Sequence, residues 1–250
     1  MSNDFMPMTT SSVHLAEEDV WAAYNQLMLS PDVERLRKVL VRHALFQRSL
    51  HVPGDIVECG VFKGVGLLTW LKFLRIHAPG SVKRVIGFDM FSHFPEPAEA
   101  QEARQVYAYV QASSFTGVQV EELLERVVAM GMEKSRCELV AGDIRETAAR
   151  YVATSPGMRI SLLHLDLDLA DATRAALEAF WPRVSRGGVV VFDEYAVRGW
   201  TESDAVDDFF RKIPIQIATI PWAATPTAFI VKQPTGSSDP IGIAFDGSDS

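Results

Sequence analysis

Residues 160–181, ISLLHLDLDLADATRAALEAFW, decide the fold, because they join an apolar strand to a helix and place acidic residues at the junction. On an extended strand alternate side chains share a face, so His164, Asp166 and Asp168 would point together and the leucines between them the other way. A half-exposed antiparallel strand is one explanation. The other is a strand covered on both faces, with its acids at the exit into a loop, and the cost of burying an unpaired carboxylate favours it.

Strand and helix patterns alternate on either side of this stretch. Strand patterns lie within residues 54–60, 82–91, 136–144 and 187–195, and helical patterns separate them. This order predicts an α/β fold with a mostly parallel, doubly wound sheet, right-handed crossovers and helices on both faces. Residues 213–220 and 227–233 predict a hairpin at the end of the sheet.

The ends of the chain differ from its middle. A helical pattern from Glu17 to Leu50, interrupted at Ser30-Pro31, predicts two helices before the sheet, with Pro31 in the first turn of the second. We expect an N-terminal arm and helical cap over residues 1–50, one α/β domain over 51–232, and a flexible C-terminal tail over 233–250.

Composition excludes several classes of protein. The net charge of -8 provides no field to attract a polyanion, so we expect no nucleic acid partner. The two isolated cysteines argue against a disulfide framework or a zinc site and fit a reducing cytoplasm. The sequence has no apolar run of about 18 residues and no leader pattern, so we expect a cytoplasmic protein that does not enter a membrane.

Acidic residues at two strand ends predict a metal site. Asp166 follows one strand pattern, and Asp193 and Glu194 follow the next, 27 residues and one helix later. If these strands are neighbours, their ends lie about 5 Å apart. An all-oxygen cluster of this kind suits Mg²⁺, which usually keeps waters and leaves room for substrate oxygens.

A glycine-containing turn predicts a nucleoside site beside it. Glu58, Gly60 and Gly64 lie between the first strand and its helix, where glycine lets the backbone approach a ligand. Asp89 ends the second strand, where an acid holds ribose hydroxyls in nucleotide-binding folds, and Asp143 ends the third, near an adenine amino group. Since no phosphate-binding lysine motif is present, a nucleoside without phosphates fits better than NAD or ATP.

Taken in order, these motifs resemble a known family. GDIVECGVFKGVG, VIGFDMFSHFP, LLHLDLDL and SRGGVVVFDEY, with AVDDFF downstream, are similar to the macrocin O-methyltransferase family over about residues 50–232. The resemblance implies a Rossmann-like class I methyltransferase fold with an antiparallel final strand. It also implies an enzyme that transfers a methyl group from S-adenosylmethionine to a sugar hydroxyl of a glycosylated natural product in antibiotic biosynthesis, assisted by Mg²⁺. A small-molecule glycoside acceptor and a homo-oligomer are implied as well.

The resemblance also assigns residues. It implies methyl-donor contacts from two sets of positions, one in the glycine turn and one at the next two strand ends: Glu58, Cys59, Gly60 and Gly64, then Asp89, Ser92, Gly142 and Asp143. It implies Asp166, Asp193 and Glu194 as metal ligands, although the family usually has aspartate where Glu194 stands. Asp166 is the first candidate for accepting the hydroxyl proton, and His164 is the second.

Two other functions remain open from the sequence. The Asp-Leu-Asp sequence after an apolar strand is also found in metal-dependent phosphohydrolases, where it normally opens the domain and continues with threonine or valine. A non-catalytic nucleoside-binding module would keep the glycine turn, but it would have no need of the acids. The architecture alone does not decide between these functions.

Overall fold

Six strands form one sheet in the computed structural model, which describes residues 16–91, 108 and 118–233. The strands are β1 (Asp55–Cys59), β2 (Val85–Asp89), β3 (Cys137–Ala141), β4 (Ile160–Leu165), β5 (Val184–Phe192) and β6 (Ala228–Val231). Their order is β3-β2-β1-β4-β5-β6, with β6 antiparallel to β5 and the other pairs parallel. The predicted fold, with its antiparallel final strand, is confirmed.

In the described part of the chain, three helices pack on each face of the sheet. One face carries α2 (Glu34–Ser49), α3 (Val65–His77) and α4 (Val120–Ala129). The other carries α5 (Ile144–Thr154), α6 (Ala170–Phe180) and α7 (Glu202–Phe210). A further helix, α1 (Glu17–Leu29), precedes them and buries none of its residues. Because apolar surface is buried on both faces, β4 is buried along its whole length and is not a half-exposed antiparallel strand.

The packing of α2 brings it over the edge of the sheet. Its apolar residues Val41, Leu45 and Phe46 are almost fully buried in the core, and burial of each large side chain contributes about 1.5–3 kcal/mol. The helix begins at Glu34, three residues after the predicted start at Pro31; its N-cap is Val33, and the Asp32 carboxylate just before it accepts from the Glu34 N–H at 2.8 Å.

The predicted C-terminal hairpin is half correct. Its second arm is β6, but residues 213–220 make only a single bridge, between Ala218 and Phe229. Ile213 and Ile215 pack against the hydrophobic core instead, and Pro214 between them has no N–H to give to a strand ladder.

No helix among the described residues has the length and apolarity needed to cross a bilayer. Residues 1–15, in the predicted N-terminal arm, and residues 234–250, which are all of the predicted flexible tail except Gln233, lie outside the described residues.

Candidate functional site

The predicted strand-end residues meet around one cavity of about 500 Å³ at the carboxyl edge of the sheet. It lies where the strand order reverses between β1 and β4, the usual place for ligands in such folds. Predicted residues from five separate strand ends line it: Glu58, Gly60, Asp89, Gly142, Asp143, Asp166, Asp193 and Glu194. The cavity therefore joins the predicted nucleoside turn and the predicted metal acids in one space.

The turn between β1 and α3 requires glycine at two positions. Gly60 has a φ of 90°, and a Cβ there would lie 1.8 Å from the carbonyl oxygen of Asp166. A Cβ at Gly66 would lie 2.0 Å from Glu58 Oε1. The turn thus packs closely against both the segment after β4 and the Glu58 side chain, and it leaves the N-terminus of α3 beside the cavity.

Glu58 lies at the bottom of this turn and is buried. Its Oε1 lies 3.1 Å from His164 Nδ1. Its Oε2 has no hydrogen-bond partner among the residues that the structure describes. A buried carboxylate oxygen with free acceptor capacity next to a cavity is suited to a cationic group of a ligand.

Asp89 holds the turn together. Its Oδ2 accepts from the backbone N–H groups of Val61 at 2.8 Å and Phe62 at 2.9 Å. Its Oδ1 accepts from the N–H of Phe91 at 2.8 Å. A carboxylate has about four acceptor positions, so one remains for the ribose hydroxyl that we predict there. Asp89 consequently has a structural role that the sequence did not indicate.

Asp143 has partners of its own within the protein. It caps α5 by accepting from the Arg145 N–H at 2.9 Å, and it is paired with the Arg145 guanidinium, which also reaches Asp171 Oδ2 at 2.7 Å. The side-chain hydrogen bond from Arg145 lowers the pKa of Asp143. Asp171 lies in the first turn of α6 rather than at its N-cap, which is Leu169.

Two of the three predicted metal acids, Asp166 and Asp193, come together with His164, and Glu194 is not part of this group. Asp166 directly follows β4 and Asp193 directly follows β5, and these strands are adjacent. Ligand atoms of His164, Asp166 and Asp193 lie within 4.8 Å of one another. Burial raises the pKa of Asp166 to about 7, and the charge of Asp193 adds to this shift. Burial and Asp193 likewise raise the pKa of Glu194 to about 7.

His164 lies beneath the cavity and links two carboxylates. It is fully buried, with Nδ1 3.1 Å from Glu58 Oε1 and Nε2 3.1 Å from Asp193 Oδ1. Burial lowers its pKa, but the hydrogen bonds to Asp193 and Glu58 outweigh this effect and raise it to about 9. Since both ring nitrogens already face carboxylates, the arrangement does not fit the predicted role of His164 as a base toward the acceptor.

Asp168 also lines the cavity, but the strand ends at Leu165 and Asp168 has a φ of 62°, so its side chain does not continue the face of Asp166. The Cys59 side chain packs in the core and does not line the cavity; only its carbonyl oxygen contacts the site, accepting from the Asp166 N–H at 2.9 Å. Ser92 lies outside the described residues.

Sequence reasoning missed Glu202 at the start of α7. This carboxylate is fully buried, and its Oε2 accepts from the backbone N–H of Glu194 at 2.7 Å. Burial raises its pKa well above the usual range. It fixes the backbone of the segment that carries Glu194. Glu194 and Glu202 are eight residues apart with a loop between them, and no periodic pattern in the sequence could have predicted their contact.

The basic residues of α2 were also missed. Lys38 Nζ lies 3.4 Å from Asp193 Oδ2, and an Arg42 guanidinium nitrogen lies 4.0 Å from Asp193 Oδ1. Burial raises the pKa of Asp193, but the hydrogen bond to His164 and the charges of His164, Lys38 and Arg42 outweigh this and hold it below the usual range. The spacing of these residues along α2 was available in the sequence, but their partner is 155 residues away.

Comparison with known proteins places the chain in a family. A family model described as "Macrocin-O-methyltransferase (TylF)" matches residues 28–226. The chain belongs to the macrocin O-methyltransferase family. The match extends from the last two residues of α1 to the segment before β6, and it therefore includes α2, the glycine turn, the strand-end acids and Glu202. The predicted family resemblance is confirmed.

Individual members of the macrocin O-methyltransferase family match at moderate identity. The 8-demethyl-8-(2,3-dimethoxy-alpha-L-rhamnosyl)-tetracenomycin-C 4'-O-methyltransferase of Streptomyces olivaceus is 30% identical over 159 residues, which is 63% of this chain and 58% of the relative. The chain spans 58% to 61% of the lengths of the curated relatives it matches.

Solved structures agree with the fold. CalS11, described as a calicheamicin methyltransferase, is 27% identical with a TM-score of 0.68, over 87% of this chain and 94% of that one. An apo structure of CalS11 is described as a TDP-rhamnose 3'-O-methyltransferase; it is 27% identical with a TM-score of 0.64, over 87% and 96% of the two chains.

Proposed function

We propose that the chain is an S-adenosylmethionine-dependent, Mg²⁺-assisted O-methyltransferase that methylates a sugar hydroxyl in natural-product biosynthesis. The observation that carries this proposal is the approach of Asp166 and Asp193 at the edge of the cavity that Glu58 and Gly60 also line. Membership of the macrocin O-methyltransferase family supports it. The phosphohydrolase and the binding-module hypotheses gain no observation in their favour.

The acids fit a divalent cation. Asp166, Asp193 and Glu194 bring oxygen ligands to one edge of the sheet, where their charges repel one another until a cation is bound. We assign these three residues as ligands, with the longer Glu194 reaching from the segment that Glu202 fixes. Mg²⁺ would act there as a Lewis acid that makes a sugar hydroxyl more acidic and aligns it.

The turn fits the methyl donor. Glu58 Oε2 has free acceptor capacity for the ammonium group of the donor's amino acid portion. Asp89 has room to accept from a ribose hydroxyl, and Gly142 and Asp143 line the same cavity on the side assigned to adenine. No cationic phosphate cradle is required, because this donor carries no phosphate.

The reaction places different demands on each residue. Methyl transfer needs the acceptor oxygen, the methyl carbon and the sulfur in line, so donor and acceptor must bind in one cavity, and the residues that we assign to the two sites line the same cavity. We assign acceptance of the hydroxyl proton to Asp166, which lines the cavity. His164 is a positioning residue, because it holds Glu58 and Asp193 from below.

The proposal is tested by binding and by turnover. Titration with S-adenosylhomocysteine should show micromolar binding, and Asp166→Asn should abolish Mg²⁺-dependent methylation of rhamnosides while leaving that binding intact. Asp204→Asn, an exposed acid on α7, is the matched control. If S-adenosylhomocysteine does not bind, the methyltransferase proposal is wrong, and hydrolysis of an aryl phosphate would then be the assay to run.

The relatives differ in the acceptor that their names describe. One names a rhamnosyl group already attached to tetracenomycin, and the other names TDP-rhamnose. Either acceptor agrees with the proposal. The proposal also includes action in the cytoplasm, assembly into a homo-oligomer and the absence of a nucleic acid partner. Size-exclusion chromatography with light scattering tests for the homo-oligomer.

A further inference from the structure

Three basic residues of α2 form a stripe that lines the cavity. Arg35, Lys38 and Arg42 follow the spacing i, i+3, i+7, which places them on one face of the helix. Their side chains are 72%, 39% and 7% exposed in that order, so the basic stripe runs from solvent to the bottom of the cavity. The same face of α2 is buried in the core at Leu45 and Phe46, which fixes its direction.

The charge of the basic stripe is only loosely paired. Lys38 and Arg42 share one carboxylate, Asp193, at 3.4 and 4.0 Å, and that carboxylate also faces His164. Arg42 Nε is buried, and it has no hydrogen-bond partner in the described part of the chain. Arg35 makes a single exposed pair with Asp32, at 3.4 Å. A guanidinium has five donors and an ammonium three, so most of the donors of the basic stripe remain available.

The basic stripe is not explained by a need to neutralise the cavity acids once the proposed ligands are bound. Asp193 would be held by Mg²⁺, and Asp143, on the donor side, is already paired with Arg145. Lys38 also interacts electrostatically with Asp166, Asp168 and Glu194, but in the proposed site Asp166 and Glu194 are held by the metal as well, so Asp168 is the one of these acids that remains for the three basic residues. A desolvated arginine with free donors, next to a lysine one helical turn away, is a recognition element for a phosphoryl group.

We infer that the acceptor carries a phosphoryl group beyond the sugar ring that is methylated, so that it is a sugar nucleotide rather than a finished glycoside. This inference rests on the proposed function. With the reacting hydroxyl at Asp166 and Asp193, the sugar ring extends outward along α2. Lys38 and Arg35 lie about 6 and 10 Å farther along the helix than Arg42, which is the direction in which an anomeric diphosphate would leave the ring.

A sugar-nucleotide acceptor would fix the order of two reactions, methylation and glycosyl transfer. A sugar nucleotide is an activated glycosyl donor, so methylation would occur before the sugar is attached. A glycosyltransferase must then consume the methylated product. The methyl transfer itself leaves the phosphoryl groups unchanged.

Binding measurements with matched variants test the inference. Enzyme saturated with S-adenosylhomocysteine, at fixed free Mg²⁺, is titrated with thymidine diphosphate, rhamnose 1-phosphate and methyl α-L-rhamnopyranoside. The two phosphorylated probes should bind at least about tenfold more tightly than the neutral rhamnoside. Comparison of the two separates recognition of the phosphoryl group from recognition of the nucleoside.

Variants of α2 then locate the contact. Arg35→Gln should weaken the phosphorylated probes by about five- to tenfold and leave the neutral rhamnoside unchanged. Lys38→Gln also removes a partner of Asp193, so it should weaken all three probes, and the phosphorylated ones more than the rhamnoside. Arg37→Gln is the control, because Arg37 lies on the same helix, is paired with Glu34 and does not line the cavity. The kcat/KM for TDP-rhamnose relative to that for the rhamnoside should fall in parallel with binding.

Two results overturn the inference in distinguishable ways. If the neutral rhamnoside binds as tightly as the phosphorylated probes, or if the Arg35 and Lys38 variants behave like Arg37→Gln, the basic stripe does not read a phosphoryl group, while methylation of the rhamnoside still supports the proposed function. If S-adenosylhomocysteine itself does not bind, the proposed function fails, and the inference fails with it.

Discussion

His164 is a polar residue in a buried strand, and its side chain has two carboxylate partners. The alternation of polar and apolar residues in the sequence indicated that its side chain points toward the acids, but not that it lies between Glu58 and Asp193. Those partners come from β1 and from the end of β5, which only the strand order brings together. The type of residue could therefore be read from the sequence, whereas its role depended on tertiary contacts.

Replacing His164 should impair the metal site more than the fold. In His164→Asn the side chain is too short to reach both carboxylates, so Asp193 loses the hydrogen bond that orients it. Loss of such support typically lowers metal affinity by about 10- to 100-fold. Titration with Mn²⁺, followed by electron paramagnetic resonance, measures this change, and circular dichroism checks the fold. Unchanged Mn²⁺ affinity in a folded variant would contradict the positioning role.

Gly66 is a second residue whose role follows from a distance. Alanine stabilises a helix more than glycine does, yet a Cβ at this position would lie 2.0 Å from Glu58 Oε1. Gly66→Ala should therefore displace Glu58, cost about 1–3 kcal/mol of stability and weaken S-adenosylhomocysteine binding. Gly157→Ala is the control, since a Cβ there meets nothing within 4 Å. Thermal unfolding and calorimetry measure the two effects; a Gly66→Ala protein as stable as the control would refute the clash.

At the scale of elements, the strands were more predictable than the segments that join them to the site. β1, β2, β4 and the last five residues of β5 follow the apolar runs, because a strand buried on both faces needs a largely apolar sequence, whereas the edge strand β3 is only partly buried. The first arm of the hairpin failed, because alternating isoleucines at residues 213–217 pack on the core without forming a ladder. No helix was predicted for α7, although AVDDFF within it carries part of the family resemblance, and its first residue supports the metal segment.

Glu202 allows the contribution of α7 to be measured. Its buried carboxylate needs an acceptor oxygen for the Glu194 N–H, but its raised pKa indicates that the charge is not required. Glu202→Gln keeps an acceptor and should remain close to the wild type in stability. Glu202→Ala removes the acceptor and should cost about 1–3 kcal/mol. Urea unfolding compares the two with Asp204→Ala, an exposed position on the same helix. A glutamine variant as unstable as the alanine variant would show that the charge matters.

At the scale of the whole molecule, the reversal of strand order divides the site into two halves. β1 and β2 supply Glu58 and Asp89 to the donor half, and β4 and β5 supply Asp166 and Asp193 to the metal half. This division followed from the sequence once the strands were recognised, because acids at the ends of neighbouring parallel strands must share an edge. The contribution of α2 could not be predicted from the sequence, because the strand end that this helix covers depends on the order of the strands in the assembled sheet.

The two halves should respond separately to substitution, even though methyl transfer needs both. Asp89→Asn replaces an acceptor of the turn N–H groups with an amide, and it should weaken S-adenosylhomocysteine binding by about tenfold while leaving Mn²⁺ affinity nearly unchanged. Asp193→Asn should do the reverse, and removal of the metal with EDTA should stop turnover of the wild type without releasing S-adenosylhomocysteine. Calorimetry with each ligand gives the four affinities. Equal losses of both ligands in both variants would mean that the buried Glu58–His164–Asp193 chain joins the halves into one cooperative unit, and the division at the switch point would then describe the topology of the sheet but not the energetics of the site.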